Sequence, residues 1–304
     1  MQRYILMRLL QSLLAMWVMT IVVFGLARLS GDPLEAILPD DATEKDKAIT
    51  AEALGLNKPL PVQYWIFVSN AVQGDFGKSI RSRLPVSELV LSRVPATFEL
   101  AILAMTVAVL ISVPLGVIAA VNKGKPLDTI ARIIAVLGQS TPIFWLGIML
   151  MLLFAVTLNL LPTSGRGGPL TYVLPTFTMG WYPMAGILRL VRSSMLDVLE
   201  SDYIKLARIK GVSEAAIVWK HGLRNALIPV LTFVAIIFPH ILAGAVITET
   251  IFSWPGMGRL AYESIAFHDF PVIQMIILIA TALYLACNLV VDILYAYLDP
   301  RIRY

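Results

Sequence analysis

The stretch that decides the fold runs from Asp202 to Thr248: DYIKLARIKGVSEAAIVWKHGLRNALIPVLTFVAIIFPHILAGAVIT. Charged residues are dense in its first half. From Ala226 onward the only ionisable side chain is His240. A helix of about 20 apolar residues spans the hydrocarbon layer, so Ala226–Thr248 reads as a membrane span. The charged half before it reads as the flanking loop.

Working outward, five more apolar runs fit the same length: Leu9–Ala27 and, to within a few residues, Leu100–Val121, Ile133–Val156, Leu170–Leu190 and Val272–Val291. Composition agrees. Hydrophobic residues are 58% of the 304 and charged residues 14%, and mean hydropathy is +0.79, whereas a soluble domain is about half apolar and about a quarter charged. The expected fold class is therefore an all-α membrane protein of six transmembrane helices. Internal prolines (Pro114, Pro142, Pro175, Pro183, Pro239) are tolerated where neighbouring helices or a cavity satisfy the freed carbonyls. The run at Leu170–Leu190 is short, rich in Thr and Gly, and twice interrupted. Leu9–Ala27 is longer than a signal-peptide core and no A-x-A site follows it, so an uncleaved helix is expected.

Charge sets the expected orientation. Arg3 and Arg8, the loop 122–132, the loop 189–224 with seven basic and four acidic residues, and Arg301 and Arg303 all fall on one side of a six-span layout. The positive-inside rule puts that side, with both termini, in the cytoplasm. The net charge of +4 is spread among these loops; it forms no basic patch of the kind nucleic acid requires. Residues 29–95 are mixed in charge and punctuated by Gly and Pro, with apolar positions at Leu56, Val62, Trp65 and Val68 that suggest short helices. The expected domains are an N-terminal transmembrane helix (1–28), an extracytoplasmic insertion (29–95), a five-helix core (96–298) and a cytoplasmic tail (299–304). Cys287 lies in an apolar run and reads as a small filler. His221, His240 and His268 show no metal-ligand spacing.

The loop 202–224 has the pattern of a structured element. Leu206, Ile209, Val212, Ala216, Trp219 and Leu223 recur every three or four residues, the stripe of an amphipathic helix. Gly211 interrupts it and predicts a turn. Ser213 is placed to cap a second helix, with Val212 and Ile217 as a hydrophobic staple. Two short helices joined at Gly211 are expected. They would either lie on anionic lipid or dock a cytoplasmic partner.

Here the residues resemble a family. Ala207-Arg208-Ile209-Lys210-Gly211, followed by His221-Gly-Leu-Arg-Asn-Ala-Leu-Ile-Pro229, is similar to the "EAA" loop of binding-protein-dependent ABC importer permeases, and more narrowly to their dipeptide, oligopeptide, nickel and glutathione group. Lys205-Leu206-Ala207 stands where Glu-Ala-Ala is usual. Other matches follow in family order: Gly31-Asp-Pro33, Leu54-Gly-Leu-Asn-Lys-Pro-Leu60, Gly74-Asp-Phe-Gly77, Arg93-Val-Pro-Ala-Thr97, Thr141-Pro-Ile-Phe-Trp-Leu-Gly147, Glu249-Thr-Ile-Phe-Ser-Trp-Pro-Gly-Met-Gly-Arg259 and Asp269-Phe-Pro271.

The resemblance implies a type I ABC importer permease in a bacterial cytoplasmic membrane. It implies ATPase coupling through Ala207, Arg208, Lys210, Gly211, Ser213, Glu214, His221 and Arg224. The implied partners are a second homologous permease (a heterodimer), two cytoplasmic ABC ATPases, an extracytoplasmic substrate-binding protein and membrane lipid. ATP and Mg would be used by the ATPases, with no cofactor on this chain. The implied solute is a di- or oligopeptide, with glutathione, a nickel chelate, an opine or a sugar as alternatives.

Several residues keep two readings. Gln139, Ser140 and Thr141 could line a pathway or knit helices together. An ionisable residue within a span marks function by default, so His240 could line the pathway, or it could satisfy a carbonyl freed by Pro239. Asp292 is expected to pair with a basic residue. Glu249, Trp254, Pro255, Gly256 and Gly258 could shape an outer gate or a binding-protein contact, or form a plain turn. Gly77-Lys78-Ser79 resembles the end of a P-loop, but Val72 stands where the motif needs its first Gly. An ion-coupled secondary transporter would need carboxylates deep in the spans, and an intramembrane enzyme would need a catalytic constellation that is not found.

Overall fold

The computed structural model describes residues 2–29, 43–53 and 56–298. Gly31-Asp32-Pro33, Leu54-Gly55 and the tail with Asp299, Arg301 and Arg303 lie outside the described residues. Everything described is helix, turn or loop, apart from one isolated bridge between Lys78 and Pro85. The chain divides into two compact units, Met1–Thr97 with Pro255–Tyr304, and Phe98–Trp254.

In the first unit, α1 (Gln2–Leu29), α2 (Glu44–Ala53), α3 (Leu60–Val72) and α4 (Val86–Leu91) lead into α5 (Val94–Val121). The expected short helices of the outer segment are α2 to α4. Pro59 and Pro61 open α3 with a preset φ. Tyr64 packs edge-on against Phe24 of α1 at 5.5 Å, and its hydroxyl shares a 2.8 Å hydrogen bond with Thr20. Val86 and Val90 of α4 join a buried cluster with Met257 and Leu260 of one later helix and Val272, Met275 and Ile276 of another. The expected partner of Asp292 is Arg8, at 3.2 Å.

The second unit is organised around one helix. It contains α6 (Pro126–Ser140), α7 (Ile143–Leu150) with a π-turn to Thr157, α8 (Val173–Leu199), α9 (Asp202–Ile209), α10 (Glu214–Ala216), a π-turn (Ile217–Gly222) and α11 (Leu223–Ile251). Fourteen residues of α8 are buried. Its small residues let neighbours approach closely. A Cβ on Gly180 would meet the Ala104 carbonyl oxygen at 2.8 Å, and one on Gly138 would meet the Ala185 Cβ at 2.4 Å. Beyond Trp254, the chain returns to the first unit with α12 (Met257–Ala266) and α13 (Phe270–Leu298).

Among the described residues, four stretches are long and apolar enough to cross a membrane: Ile5–Leu29, Val86–Val121, Glu214–Ile251 and Phe270–Ile293. Apolar side chains are widely exposed on them, among them Leu13, Trp17, Leu110 and Ile228, each more than half exposed. In water such surface would aggregate; in lipid it is the solvated face.

Two expectations change here. The run Ile133–Val156 is not one straight span, because α6 and α7 meet at 109°. Pro142 pushes Thr141 out of the helical region, and Thr141 sits at φ −80°, ψ 123°. The carbonyls of Val136 and Leu137 are then taken by the Ser140 and Thr141 hydroxyls at 2.9 and 2.6 Å. The run Leu170–Leu190 becomes the helix Val173–Leu199. It falls outside the four apolar stretches because it carries Thr, Gly, Arg and Asp residues among its apolar ones.

Candidate functional site

The element 202–224 is built as two helical pieces around a glycine. Gly211 adopts φ +78° with open space around its α-carbon, a conformation glycine enters without steric penalty. The Ser213 hydroxyl accepts from the Ala216 N–H at 3.4 Å, the expected cap. The second piece is not a separate short helix, which corrects the sequence expectation. Glu214 opens a helical run that passes through the π-turn Ile217–Gly222 and continues to Ile251. Pro229 comes too late to stop it.

Two contacts brace the turn. Arg208 Nε and Nη2 donate to the Glu214 carboxylate at 2.7 and 3.3 Å. This pairing raises the Arg208 guanidinium above its ordinary value. The Tyr203 hydroxyl accepts from Asn225 Nδ2 at 2.7 Å and donates to the His221 carbonyl at 3.5 Å. No local pattern marks Tyr203 or Asn225, since the bond joins residues 22 apart across a turn.

Burial gives the stripe its direction. Ile204 and Ile217 are fully buried and Val218 nearly so, while Leu206, Ile209 and Trp219 are 51%, 82% and 49% exposed. The periodic residues therefore form an outer apolar face, edged by exposed Arg208, Lys210, Lys220, His221 and Arg224. Ala207 is half-buried beneath it. Val117, Ile118, Val121, Asn122, Glu214, Ala215, Val218 and Trp219 enclose a cavity of about 390 Å³ beside this face.

The other candidates are dispersed. Gln139 Oε1 accepts from Arg189 at 3.1 Å, the Ser140 and Thr141 hydroxyls are held by their own helix, and His240 is exposed on α11. Glu249 and Trp254 are fully buried, and the Trp254 N–H donates to the Glu249 carbonyl at 2.8 Å. Gly256 and Gly258 are buried and Pro255 half-buried. Sequence reasoning missed a polar cluster beside Trp254. Tyr172 meets the Trp254 ring edge-to-face at 4.8 Å and donates to Glu99 Oε1 at 2.9 Å, while Arg166 bonds both Tyr172 and Glu99. These bonds, first that to Tyr172 and then that to Glu99, hold the Arg166 guanidinium above its ordinary value. Ser79 of the P-loop look-alike is buried and donates to Asp269 Oδ2 at 2.6 Å, while the Ile80 and Arg81 N–H groups occupy the same carboxylate. The segment is an anchor for the loop ahead of α13.

The comparisons with known proteins converge on this picture. Residues 112–304 match the family described as "Binding-protein-dependent transport system inner membrane component", and residues 1–101 match its N-terminal companion. A solved structure described as "Crystal structure of an amino acid ABC transporter with histidines" shares the fold over 71% of this chain and 95% of that chain, at 19% identity and a TM-score of 0.50. The chain belongs to the binding-protein-dependent transport family: it is an ABC importer permease subunit and a multi-pass inner-membrane protein. It is 42% identical, over the whole of both chains, to the glutathione transport system permease protein GsiC of Salmonella typhimurium (strain LT2) and to that of Escherichia coli (strain K12). Its relatives are membrane components of transport systems.

Proposed function

We propose that this chain forms, with a second homologous permease, the membrane pathway of an importer for a peptide-like solute, powered by two separate ATPase subunits and supplied by an extracytoplasmic binding protein. Six spans carry the pathway: the four long apolar helices, the bent pair α6–α7 and the protein-sheathed α8. Both termini are cytoplasmic and residues 29–95 lie outside, in keeping with the distribution of basic loops. The core is 96–298, preceded by the helix 1–28 and followed by the tail 299–304.

One observation carries the reading. The element around Gly211 joins without interruption to a 38-residue helical run, Glu214–Ile251, and presents Leu206, Ile209 and Trp219 outward. A partner gripping that face moves the span itself, so nucleotide-driven closure of the ATPases can bias two packings of the bundle. Ala207, Arg208, Lys210, Gly211, Ser213, Glu214, His221 and Arg224 are assigned to this contact. Ser140, Thr141 and His240 are proposed to face the pathway; Gln139, bonded to Arg189, is proposed instead to stand in the groove between α6 and α8. Glu249, Trp254, Pro255, Gly256 and Gly258 are proposed as an outer gate or a binding-protein contact.

The identity to glutathione permeases supports a peptide-like solute, since glutathione is itself a tripeptide. The test is ATP-dependent uptake by the reconstituted complex in vesicles, with glutathione, dipeptides and longer peptides offered in turn. Uptake of at least one of these, abolished when the binding protein is omitted, is expected. Uptake driven by an ion gradient without ATP would overturn the reading.

A further inference from the structure

Helices α6 and α8 enclose a groove of about 280 Å³ whose charge is unbalanced. Arg132, Arg189 and Arg192 stand on it beside Gln139, and its walls are apolar, Val136 and Leu188 among them. One carboxylate faces these three guanidinium groups. Asp128 is buried and is occupied by Arg192, at 2.5 and 2.9 Å, and by the Gly124 N–H at 3.0 Å. Arg132 reaches it only at 3.8 Å and bonds Thr129 at 3.2 Å. Among the described residues, the hydrogen bond of Arg189 goes to neutral Gln139. Three cations against one anion leave a surplus of two positive charges.

The surroundings say what completes the balance. The groove adjoins the outer face of α6, where Leu127, Ile130, Ile133 and Leu137 are each more than half exposed. Guanidinium groups beside such a surface are unfavourable without a counter-charge. A soluble anion would meet apolar walls, whereas an amphiphile matches both the arginines and the walls. Basic pockets between membrane helices suit phospholipid headgroups. We propose that this groove seats the headgroup of an acidic phospholipid, with Arg132 and Arg189 on its phosphate and an acyl chain along Val136 and Leu188. Such a lipid would bridge α6 to the central helix α8, at the end where Asp128 already pins them.

The test uses the whole transporter complex, purified into detergent with phosphatidylglycerol and phosphatidylcholine supplied in equal amounts, and reads retained lipid by native mass spectrometry. The wild-type complex is expected to retain phosphatidylglycerol selectively. The R132Q/R189Q variant is expected to lose that selectivity about thirtyfold, about fivefold for each charge removed. R132K/R189K keeps the charge and is expected to keep the lipid, which separates loss of the site from loss of the fold. K123Q/K125Q removes two charges from the neighbouring loop and is expected to leave retention unchanged. Equal loss in K123Q/K125Q, retention in R132Q/R189Q, or absence of selectivity in the wild type would overturn the proposal. So would a photoreactive group at Val136 that captures the partner permease or the transported peptide in place of lipid.

Discussion

Arg208 and Glu214 grip each other across the Gly211 turn, with Nε–Oε1 at 2.7 Å and Nη2–Oε2 at 3.3 Å. The pair joins the last turn of α9 to the first residue of the helical run Glu214–Ile251. Both side chains are well exposed, at 42% and 66%, so the pair acts on geometry far more than on stability. Arg208→Ala and Glu214→Gln are each expected to leave the melting temperature of the complex nearly unchanged while weakening the stimulation of ATP hydrolysis by loaded binding protein. The exchange R208E/E214R is expected to recover part of that stimulation, which side-by-side ATPase assays would read.

Gly211 sits at φ +78° with nothing within 4 Å of where a Cβ would stand, so a substitution there meets only backbone strain. Gly211→Val is expected to cost roughly 1–2 kcal/mol locally and to abolish uptake while the chain still inserts and assembles. Gly211→Asn is expected to retain most uptake, because asparagine enters the left-handed region more readily. Uptake rates normalised to assembled complex test both.

Asp128 and Arg192 form the ion pair that ties α6 to α8, with the Asp128 side chain 2% exposed and that of Arg192 22% exposed. Asp128→Ala leaves a half-buried guanidinium without its partner. The expected loss is about 2 kcal/mol, less than for a fully buried pair because Arg192 keeps some exposure. The double variant D128A/R192M is expected to recover more than half of that loss. Thermal unfolding in detergent, followed as a double-mutant cycle, is the measurement.

Gly180 faces the Ala104 carbonyl, a backbone atom that cannot swing aside. Gly180→Ala is therefore expected to destabilise the chain by about 1–3 kcal/mol. Gly25 on α1 has open space at the same position, and Gly25→Ala is expected to change little. Comparing the two in one detergent unfolding assay separates close packing from a general effect of adding a methyl group.

How legible all this was in the sequence depends on which solvent each residue meets. The apolar runs of α1, α5, α11 and α13 announced themselves because lipid selects for unbroken hydrophobicity. Helix α8 was harder to read, since a helix buried in protein can carry Thr176, Thr178, Gly180 and Gly186 where a lipid-facing one would carry leucine. The bend at Thr141-Pro142 was marked by the proline, but its 109° angle depends on packing. The turn at Gly211 and the cap at Ser213 were local and readable. The direction of the stripe was not, because periodicity finds a face without saying whether the chain or a partner covers it. Contacts between distant residues, such as Glu99 with Arg166 and Tyr203 with Asn225, left no trace in any local pattern.

The most direct measurement is the accessibility of position 210. A cysteine in place of Lys210, in a chain carrying Cys287→Ser, is treated with a membrane-impermeant maleimide in intact spheroplasts and in inverted vesicles. Labelling is expected only in inverted vesicles, with protection when the ATPase subunits are bound. Labelling from outside intact spheroplasts would contradict it.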